Sequence, residues 1–452
     1  MLFTTEELSK FFTNFKGPVS NEVKIEEVNT DSRIKVEESI FVPIVGENFD
    51  GHQFAEQAIR NGAVAVLWDK SRELPASVPE QTVFYFVDDT TEGLQQLASH
   101  FRDSINPIVI GITGSNGKTT TKDLVASMVK TKYVTHHTIG NFNNQIGLPL
   151  TILAMKRDTE VLVLEMGMSN FGEIELLSRI AKPDYAIITN IGESHIEFLG
   201  SREGIAKAKL EIRSGLKEGG LLIIDGDEEL LRTHHNEANV VTCGFGTFND
   251  VIIQDVSISS KGTAFRINDE EYTIPLLGKH HSKNAAYAII LGRKLNVDLE
   301  NRKKALLNVE LTSMRFELLK GKNQVSIIND AYNASPTSMK AAIEVVKQMD
   351  GFKDRVVILG DVLELGEHAE RLHRSVADVI TAPVSAVFTL GEYTHVISEI
   401  ISKTNHSILA KHFHSREELV DALKPYLRED CLLLFKASRG LKFESIINKI
   451  LQ

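Results

Sequence analysis

Three observations predict an α/β protein built on doubly wound, mostly parallel sheets. Short β-branched runs alternate with segments of helical period along nearly the whole chain. Several of these runs end in polar residues, and the carboxyl ends of parallel strands are where ligands sit. One run, Ile108-Val109-Ile110, leads through a glycine-rich turn into a helix start, Gly111 to Thr120, the layout of a phosphate cradle.

That turn reads Gly114-Ser115-Asn116-Gly117-Lys118-Thr119-Thr120. In such a cradle, backbone N–H groups at a helix N-terminus face the anion, and the helix dipole favours negative charge. Lys118 would reach the outer phosphates and Thr119 would hold Mg2+. The commonest spacing of the motif needs a glycine at position 112, where Ile112 stands. A strand before, a helix after and Lys-Thr in register still point to nucleotide binding rather than a plain βα turn.

The chain of 452 residues has room for two to four domains. A net charge of −11 argues against a general nucleic-acid binder, so anions must be held at local sites. Only two cysteines occur, Cys243 and Cys431, far apart and not at metal-ligand spacing. No apolar run approaches membrane-spanning length, and the first residues are acidic where a leader would be basic. A cytoplasmic, monomeric protein without a membrane span is expected.

Residues 1–104 read as a small α/β unit. Strands are expected at Val23–Val28, Ser39–Val45 and Ala63–Trp68, with helices at His52–Asn61 and Thr91–Phe101. Two polar loops follow strands there: Asp31-Ser32-Arg33 with its neighbours, and Gly46 to His52. From residues alone, solvated turns explain both.

Residues 105–312 begin at the phosphate turn. An amide-rich loop, Asn141 to Gln145, follows, then a strand Val161–Leu164 that ends in Glu165. A carboxylate there, near a phosphate turn, suits a Mg2+ ligand, the plainer alternative being a helix-capping or surface glutamate. Tyr185–Thr189 is a further strand, ending in Asn190 to His195, so three strands deliver polar side chains at one kind of end. A helix is expected over Ser201–Leu216, carrying Lys207 and Lys209, and a strand over Leu221–Asp225. Alternation from 240 to 275 predicts an antiparallel extension, and a helix follows over Ala285–Lys294.

Residues 313–452 repeat strand and helix, as a doubly wound, Rossmann-like domain would. The strands are Val325–Ile328, Arg355–Leu359, Ala386–Leu390 and Leu432–Phe435. The helices are Ser338–Met349, Glu367–Ile380 and Val396–Ile401. No G-x-G-x-x-G follows a strand, so NAD binding is not supported.

The stretches TGSNGKTT, EMGMSNFGEI, TNIGESHIEFLGS, AKAKLEI, GKHHSKNAAYA, MRFELL, NDAYNASPTSM, GDVLELGEHAERLH and KASRG occur in this order. Together they closely resemble the Mur ligases of peptidoglycan synthesis, over nearly the whole chain. The resemblance implies three domains: a small α/β domain holding the UDP end of the substrate, a central P-loop-type domain holding ATP, and a Rossmann-like third domain that closes over both. It implies ATP, Mg2+, UDP-N-acetylmuramoyl-tripeptide and D-alanyl-D-alanine as ligands, joined through an acyl phosphate. The family member that adds the third amino acid resembles D-Y-A-H-T-P-D after the corresponding strand and has a later D-N-P-R. Here that stretch is Asp330 to Pro336, and no D-N-P-R occurs. Folylpolyglutamate synthetase is a related alternative with a similar turn, but it lacks the UDP-facing first domain.

By the same resemblance, Gly114 to Thr120 hold ATP, with Asn284 at the adenine, Arg315 on a phosphate and Asp330 on the ribose. Thr119 and Glu165 serve one Mg2+; His195 and a carbamylated Lys209 serve a second. Lys118, His195 and Lys209 are the expected catalytic residues. Asp31, Ser32 and Arg33 face the UDP moiety. Asn141, Asn144, Tyr332 and Asn333 complete the substrate side.

Overall fold

The computed structural model describes residues 1–259 and 262–451. Three main sheets form, one in each of three α/β domains. In the N-terminal domain the strand order is Phe15–Lys16, Val83–Val87, Ala63–Asp69, Ser39–Phe41, Glu27–Asn29. All neighbours are parallel except the outer Phe15–Lys16. The helix Thr90–Ile105 covers one face, its first turn capped by Asp89, whose carboxylate accepts the N–H of Thr91 at 2.7 Å and of Glu92 at 2.9 Å.

The central sheet has nine strands. Ile108–Thr113, first in the chain among its central strands, lies between Val161–Glu165 and Tyr185–Ile188, parallel to both. Later strands depart to either side, so the strand order reverses at the carboxyl end of Ile108–Thr113, where α/β sheets take ligands. The helix Lys118–Lys130 packs Leu124, Val125, Met128 and Val129 against the sheet and against Ala285, Tyr287 and Ile289 of the helix Lys279–Lys294. This apolar face fixes where the helix, and so the turn before it, must sit.

The C-terminal sheet runs Glu317–Lys320, Ser326–Asn329, Cys431–Lys436, Asp354–Gly360, Ala386–Leu390, Leu409–Phe413. Only Glu317–Lys320 is antiparallel to its neighbour. Its carboxyl ends, Asp330 to Ser335, Asp361 to Glu364 and Lys436 to Gly440, lie together and face the central domain.

Several expected elements come out differently. The Val23–Val28 strand splits into Lys24–Ile25 and Glu27–Asn29, which pair in different sheets, the Ser39–Val45 strand ends at Phe41, and the His52–Asn61 helix is a 3-10 turn over Gly51–Phe54 and α-helical over Ala55–Arg60. The Ser201–Leu216 helix is α-helical only over Arg202–Leu210 and tightens to a 3-10 turn over Glu211–Gly215. Close packing explains the change: a Cβ on Gly215 would lie 2.0 Å from the Ser178 carbonyl oxygen, and the Gly215 N–H donates to Ser178 Oγ at 3.1 Å. The Glu367–Ile380 helix is α-helical only over Ala369–Arg374, with 3-10 turns on either side. There His373 bonds the Ala369 carbonyl at 2.7 Å and accepts the Val362 N–H at 2.9 Å, tying the helix to the preceding loop. The extension over 240–275 is antiparallel only from Val251–Ser259 onward; Val240–Gly244 is parallel to both neighbours.

Candidate active site

The phosphate turn is built by its surroundings before any ligand arrives. Gly114 has φ of 149°, and a Cβ there would lie 1.8 Å from Thr189 Oγ1. Gly117 has φ of 80°, and a Cβ there would lie 2.8 Å from Asn284 Oδ1. Asn116 N–H donates to Asn190 Oδ1 at 2.9 Å, Thr189 Oγ1 donates to the Asn116 carbonyl at 2.6 Å, and Gly192 N–H donates to Ser115 Oγ at 2.9 Å. The helix that follows has no side-chain cap, which leaves its leading N–H groups for an anion.

Lys118 folds back so that its ammonium donates to the Gly114 carbonyl at 2.7 Å. Burial lowers its pKa; Glu165 opposes that shift and Arg315 adds to it. Thr119 Oγ1 donates to Glu165 Oε2 at 2.8 Å, and Asn143 Nδ2 donates to Glu165 Oε1 at 2.8 Å. Arg315 comes in from the start of the C-terminal domain and donates to Thr119 Oγ1 at 3.0 Å. Just before it, Thr312 is tied to the central domain, its N–H donating to Asp123 Oδ2 at 2.9 Å.

From the C-terminal domain, Asp330 faces the same space. The buried Lys436 donates to Asp330 Oδ2 at 2.6 Å and to the Asn333 carbonyl at 3.2 Å, which sets the Asp330–Asn333 loop. The Arg315 guanidinium lies 4.1 Å from the centre of the Tyr332 ring. Besides Arg315 on Thr119, side-chain contacts across the domain boundary include Ser335 Oγ to Asn116 Oδ1 at 2.9 Å, Thr337 Oγ1 to Glu193 at 2.7 Å, and His195 Nδ1 with Glu364.

These groups line one cleft of about 960 Å³ between the central and C-terminal domains. It brings together Ser115 to Thr120, Asn141, Asn144, Glu165, His195, Asn284, Arg315, Asp330, Tyr332 and Asn333. Gly114 lies behind the turn, packed on Thr189. Lys209 is 2 % exposed and is not on the cleft wall. Burial holds its pKa well below the ordinary lysine value, and the charge of Lys118 pushes the same way. Asp31, Ser32 and Arg33 lie outside the cleft, in the N-terminal domain. There Arg33 pairs with Asp31 at 2.6 Å, Ser32 Oγ donates to Gln57 Oε1 at 3.2 Å, and Arg33 holds the Asp31 pKa down to about 2.

Residues not singled out from the sequence also reach the cleft. Asn143 and Asn190 do so from loops already read as polar strand ends, Lys436 and Arg439 from KASRG, and Glu364 from the loop after Asp354–Gly360. The buried His281 has no hydrogen-bond partner on Nε2, and burial holds its pKa well below the usual value.

What the cleft can hold follows from its donors. Glycines at the turn, an uncapped helix start and Lys118 suit the phosphates of a nucleotide. Thr119 and Glu165 present oxygens side by side, which suits Mg2+.

Residues 112–292 match the Mur ligase middle domain, residues 314–439 the Mur ligase glutamate ligase domain, and residues 24–102 the Mur ligase family catalytic domain. The UDP-N-acetylmuramoyl-tripeptide–D-alanyl-D-alanine ligase of Bacillus subtilis is 48% identical over 444 residues, covering 97% of this chain and 96% of that protein. The Escherichia coli ligase of the same description is 31% identical, covering 95% and 94%. A crystal structure of MurF from Acinetobacter baumannii superposes with a TM-score of 0.89 at 28% identity, covering 99% of this chain and 98% of that one. A MurF ligase from Thermotoga maritima in complex with ADP superposes with a TM-score of 0.81 at 28% identity, covering 95% and 98%.

Proposed function

The chain belongs to the Mur ligase family, and on that premise we propose that it joins D-alanyl-D-alanine to UDP-N-acetylmuramoyl-tripeptide, consuming ATP, in peptidoglycan precursor synthesis. The observation that carries this reading is the cleft itself, where a preformed phosphate turn on one domain faces the polar strand ends of another. The products are UDP-N-acetylmuramoyl-pentapeptide, ADP and phosphate.

Amide formation from a carboxylate is uphill because hydroxide leaves poorly. A carboxylate oxygen of the tripeptide attacks the γ-phosphorus, ADP departs, and an acyl phosphate forms. The dipeptide amine, having lost a proton, then attacks the acyl carbon, and phosphate leaves from the tetrahedral intermediate. The first step drives two anions together, so positive charge must wait where they meet. Lys118 and Arg315 are assigned that role, both standing beside Thr119 and Glu165. Asn284, packed on Gly117, is assigned to the adenine side, and Asp330, held by Lys436, to the ribose. Asn141, Asn144, Tyr332 and Asn333 are assigned to the reacting substrates. Closure of the C-terminal domain would exclude water that otherwise hydrolyses the acyl phosphate.

Mg2+, when bound, would neutralise phosphate oxygens, with Thr119 and Glu165 as its residues and His195 and a carbamylated Lys209 serving a second ion. The Lys209 environment supports the carbamate: no described carboxylate pairs with the ammonium, and its lowered pKa favours the neutral amine that reacts with CO2.

The units are taken as 1–104 for the UDP end, with Asp31, Ser32 and Arg33 as its contacts, 105–312 for ATP, and 313–452 for the dipeptide. No described helix is long and apolar enough to cross a membrane. We take it as a cytoplasmic monomer, since ATP is at hand in that compartment.

The test is ADP release from purified protein with UDP-N-acetylmuramoyl-tripeptide and each acceptor in turn. Release that depends on D-alanyl-D-alanine is expected. Release driven by single amino acids with the muramoyl dipeptide, or by glutamate with a folate, would replace this reading with one of its relatives.

A further inference from the structure

Four carboxylates line the cleft among the described residues: Glu165, Glu173, Asp330 and Glu364. Three are satisfied from within their own domain. Glu165 accepts from Thr119 and Asn143, each at 2.8 Å. Glu173 accepts the Ser169 N–H at 2.8 Å and the Asn170 amide at 3.1 Å. Asp330 accepts from Lys436 at 2.6 Å. Glu364 differs, because its side-chain partner His195 belongs to the facing domain. Opening of the cleft would therefore separate Glu364 from that partner.

The backbone marks the same place. Glu364 has φ of 62° and His195 has φ of 64°, both in the left-handed region, and they face each other across the boundary. That conformation costs a non-glycine residue about 1–2 kcal/mol and gathers at ligand clamps. The Glu197 N–H donates to the Glu364 carbonyl at 3.3 Å, so the two strained turns also touch through their backbones.

A cation stands on the adjoining loop. Leu363 N–H donates to Ser438 Oγ at 3.0 Å, so the loop ending in Glu364 runs beside the loop that carries Arg439. Arg439 is exposed, 5.7 Å from the Tyr332 ring centre and 3.5 Å from Glu444. Arg439 also donates to Met314 Sδ at 3.1 Å, whereas the other cations of the cleft are bound to oxygens, Lys118 in the turn, Arg315 on Thr119 and Lys436 on Asp330.

We propose that Glu364 and Arg439 grip the incoming dipeptide as a zwitterion, Glu364 taking its ammonium and Arg439 its terminal carboxylate. This rests on the ligase reading above and names the acceptor site within it. Two residues of extended chain separate those charges by about 7 Å, a span that neighbouring loops can bridge. Glu364 meets the central domain through His195, and the amine end of the dipeptide is placed there. Opposite charges on adjacent loops favour a free dipeptide over an acceptor that carries only one of them.

Steady-state kinetics of the full chain test this, with ATP and UDP-N-acetylmuramoyl-tripeptide saturating. Glu364→Gln is expected to raise KM for D-alanyl-D-alanine by about tenfold or more. The inhibition constant of propionyl-D-alanine, which lacks the ammonium, should stay within about twofold, because no charge-assisted bond is lost. Arg439→Gln should raise KM for D-alanyl-D-alanine similarly while leaving KM for D-alanyl-D-alaninamide unchanged. Glu364→Asp keeps the charge and tolerates left-handed backbone, so it should recover part of the loss. Unchanged KM in Glu364→Gln and Arg439→Gln would overturn the proposal. So would equal weakening of the charged ligand and its uncharged analogue, which marks a structural role. Absence of D-alanyl-D-alanine-dependent turnover in the unaltered chain would instead overturn the ligase reading, and the proposal with it.

Discussion

The phosphate turn and the Asp31–Arg33 loop are both short polar segments that follow a strand, yet they are held in opposite ways. The turn is braced at three points by one neighbouring segment, Thr189, Asn190 and Gly192, and its glycines admit no side chain. In the other loop Arg33 grips its own neighbour Asp31, with the Arg33 side chain 81% exposed. On the assignments proposed above, the contrast separates two jobs. A site that stabilises developing charge has its dipoles fixed in advance, whereas a site that only holds substrate can exchange a local ion pair for one with the ligand. Substitutions in the turn should therefore cost turnover, and those in the loop should cost affinity for one substrate.

The largest effect is expected at Lys118. Lys118→Ala should lower ADP release at saturating substrates by about a thousandfold, because its charge acts at the transferring phosphoryl. Near-normal release would reduce the turn to a structural element and erase the contrast.

Lys209 sharpens it from behind the turn. Lys209→Ala should lose on the order of a hundredfold in turnover and regain part of it with added short carboxylic acids. Full activity without rescue would remove the carbamate from the account.

Gly114→Ala asks whether the bracing itself matters. Its Cβ would meet Thr189 Oγ1 at 1.8 Å, and overpacking of this kind costs about 1–3 kcal/mol. A lower unfolding temperature together with weaker ATP binding is expected. An unchanged thermal transition would show that the turn gives way easily.

The smallest effect belongs to the loop. Asp31→Ala or Arg33→Ala should raise KM for the UDP substrate by about tenfold and leave KM for ATP and kcat nearly unchanged. Equal effects on both substrates would place the loop's role elsewhere.

How legible these regions are follows from where their determinants lie. The turn can be read because strand, glycines, Lys118 and Thr119 are contiguous and each carries its own physical reason. The parallel sheets can be read because buried runs such as Val161–Leu164 recur between helical segments. Glu165 and His195 could be suspected because they end strands, but their convergence on Lys118 needs the strand order, which no local pattern encodes. Asp31–Arg33 has no local signal beyond a polar turn, and only the family resemblance raised it. Lys209 is a similar case, since its burial comes from packing across the helix rather than from its spacing to Lys207. The break after Leu210 depends on Gly215 meeting Ser178, residues from different elements. Glu364 escaped notice because its meaning lies in facing His195 from another domain. The strand Val83–Val87 is an apolar run of the same kind as Val161–Leu164 and is legible on the same ground, though it is not among the expected elements.

The central claim is that the braced turn transfers a phosphoryl group onto a carboxylate presented by the substrate, before the amine attacks. Tripeptide substrate labelled with oxygen-18 in its terminal carboxylate tests it directly, with mass analysis of the phosphate released during turnover. The account predicts that one labelled oxygen passes from the carboxylate into each phosphate. Phosphate carrying no label, alongside normal pentapeptide formation, would contradict it.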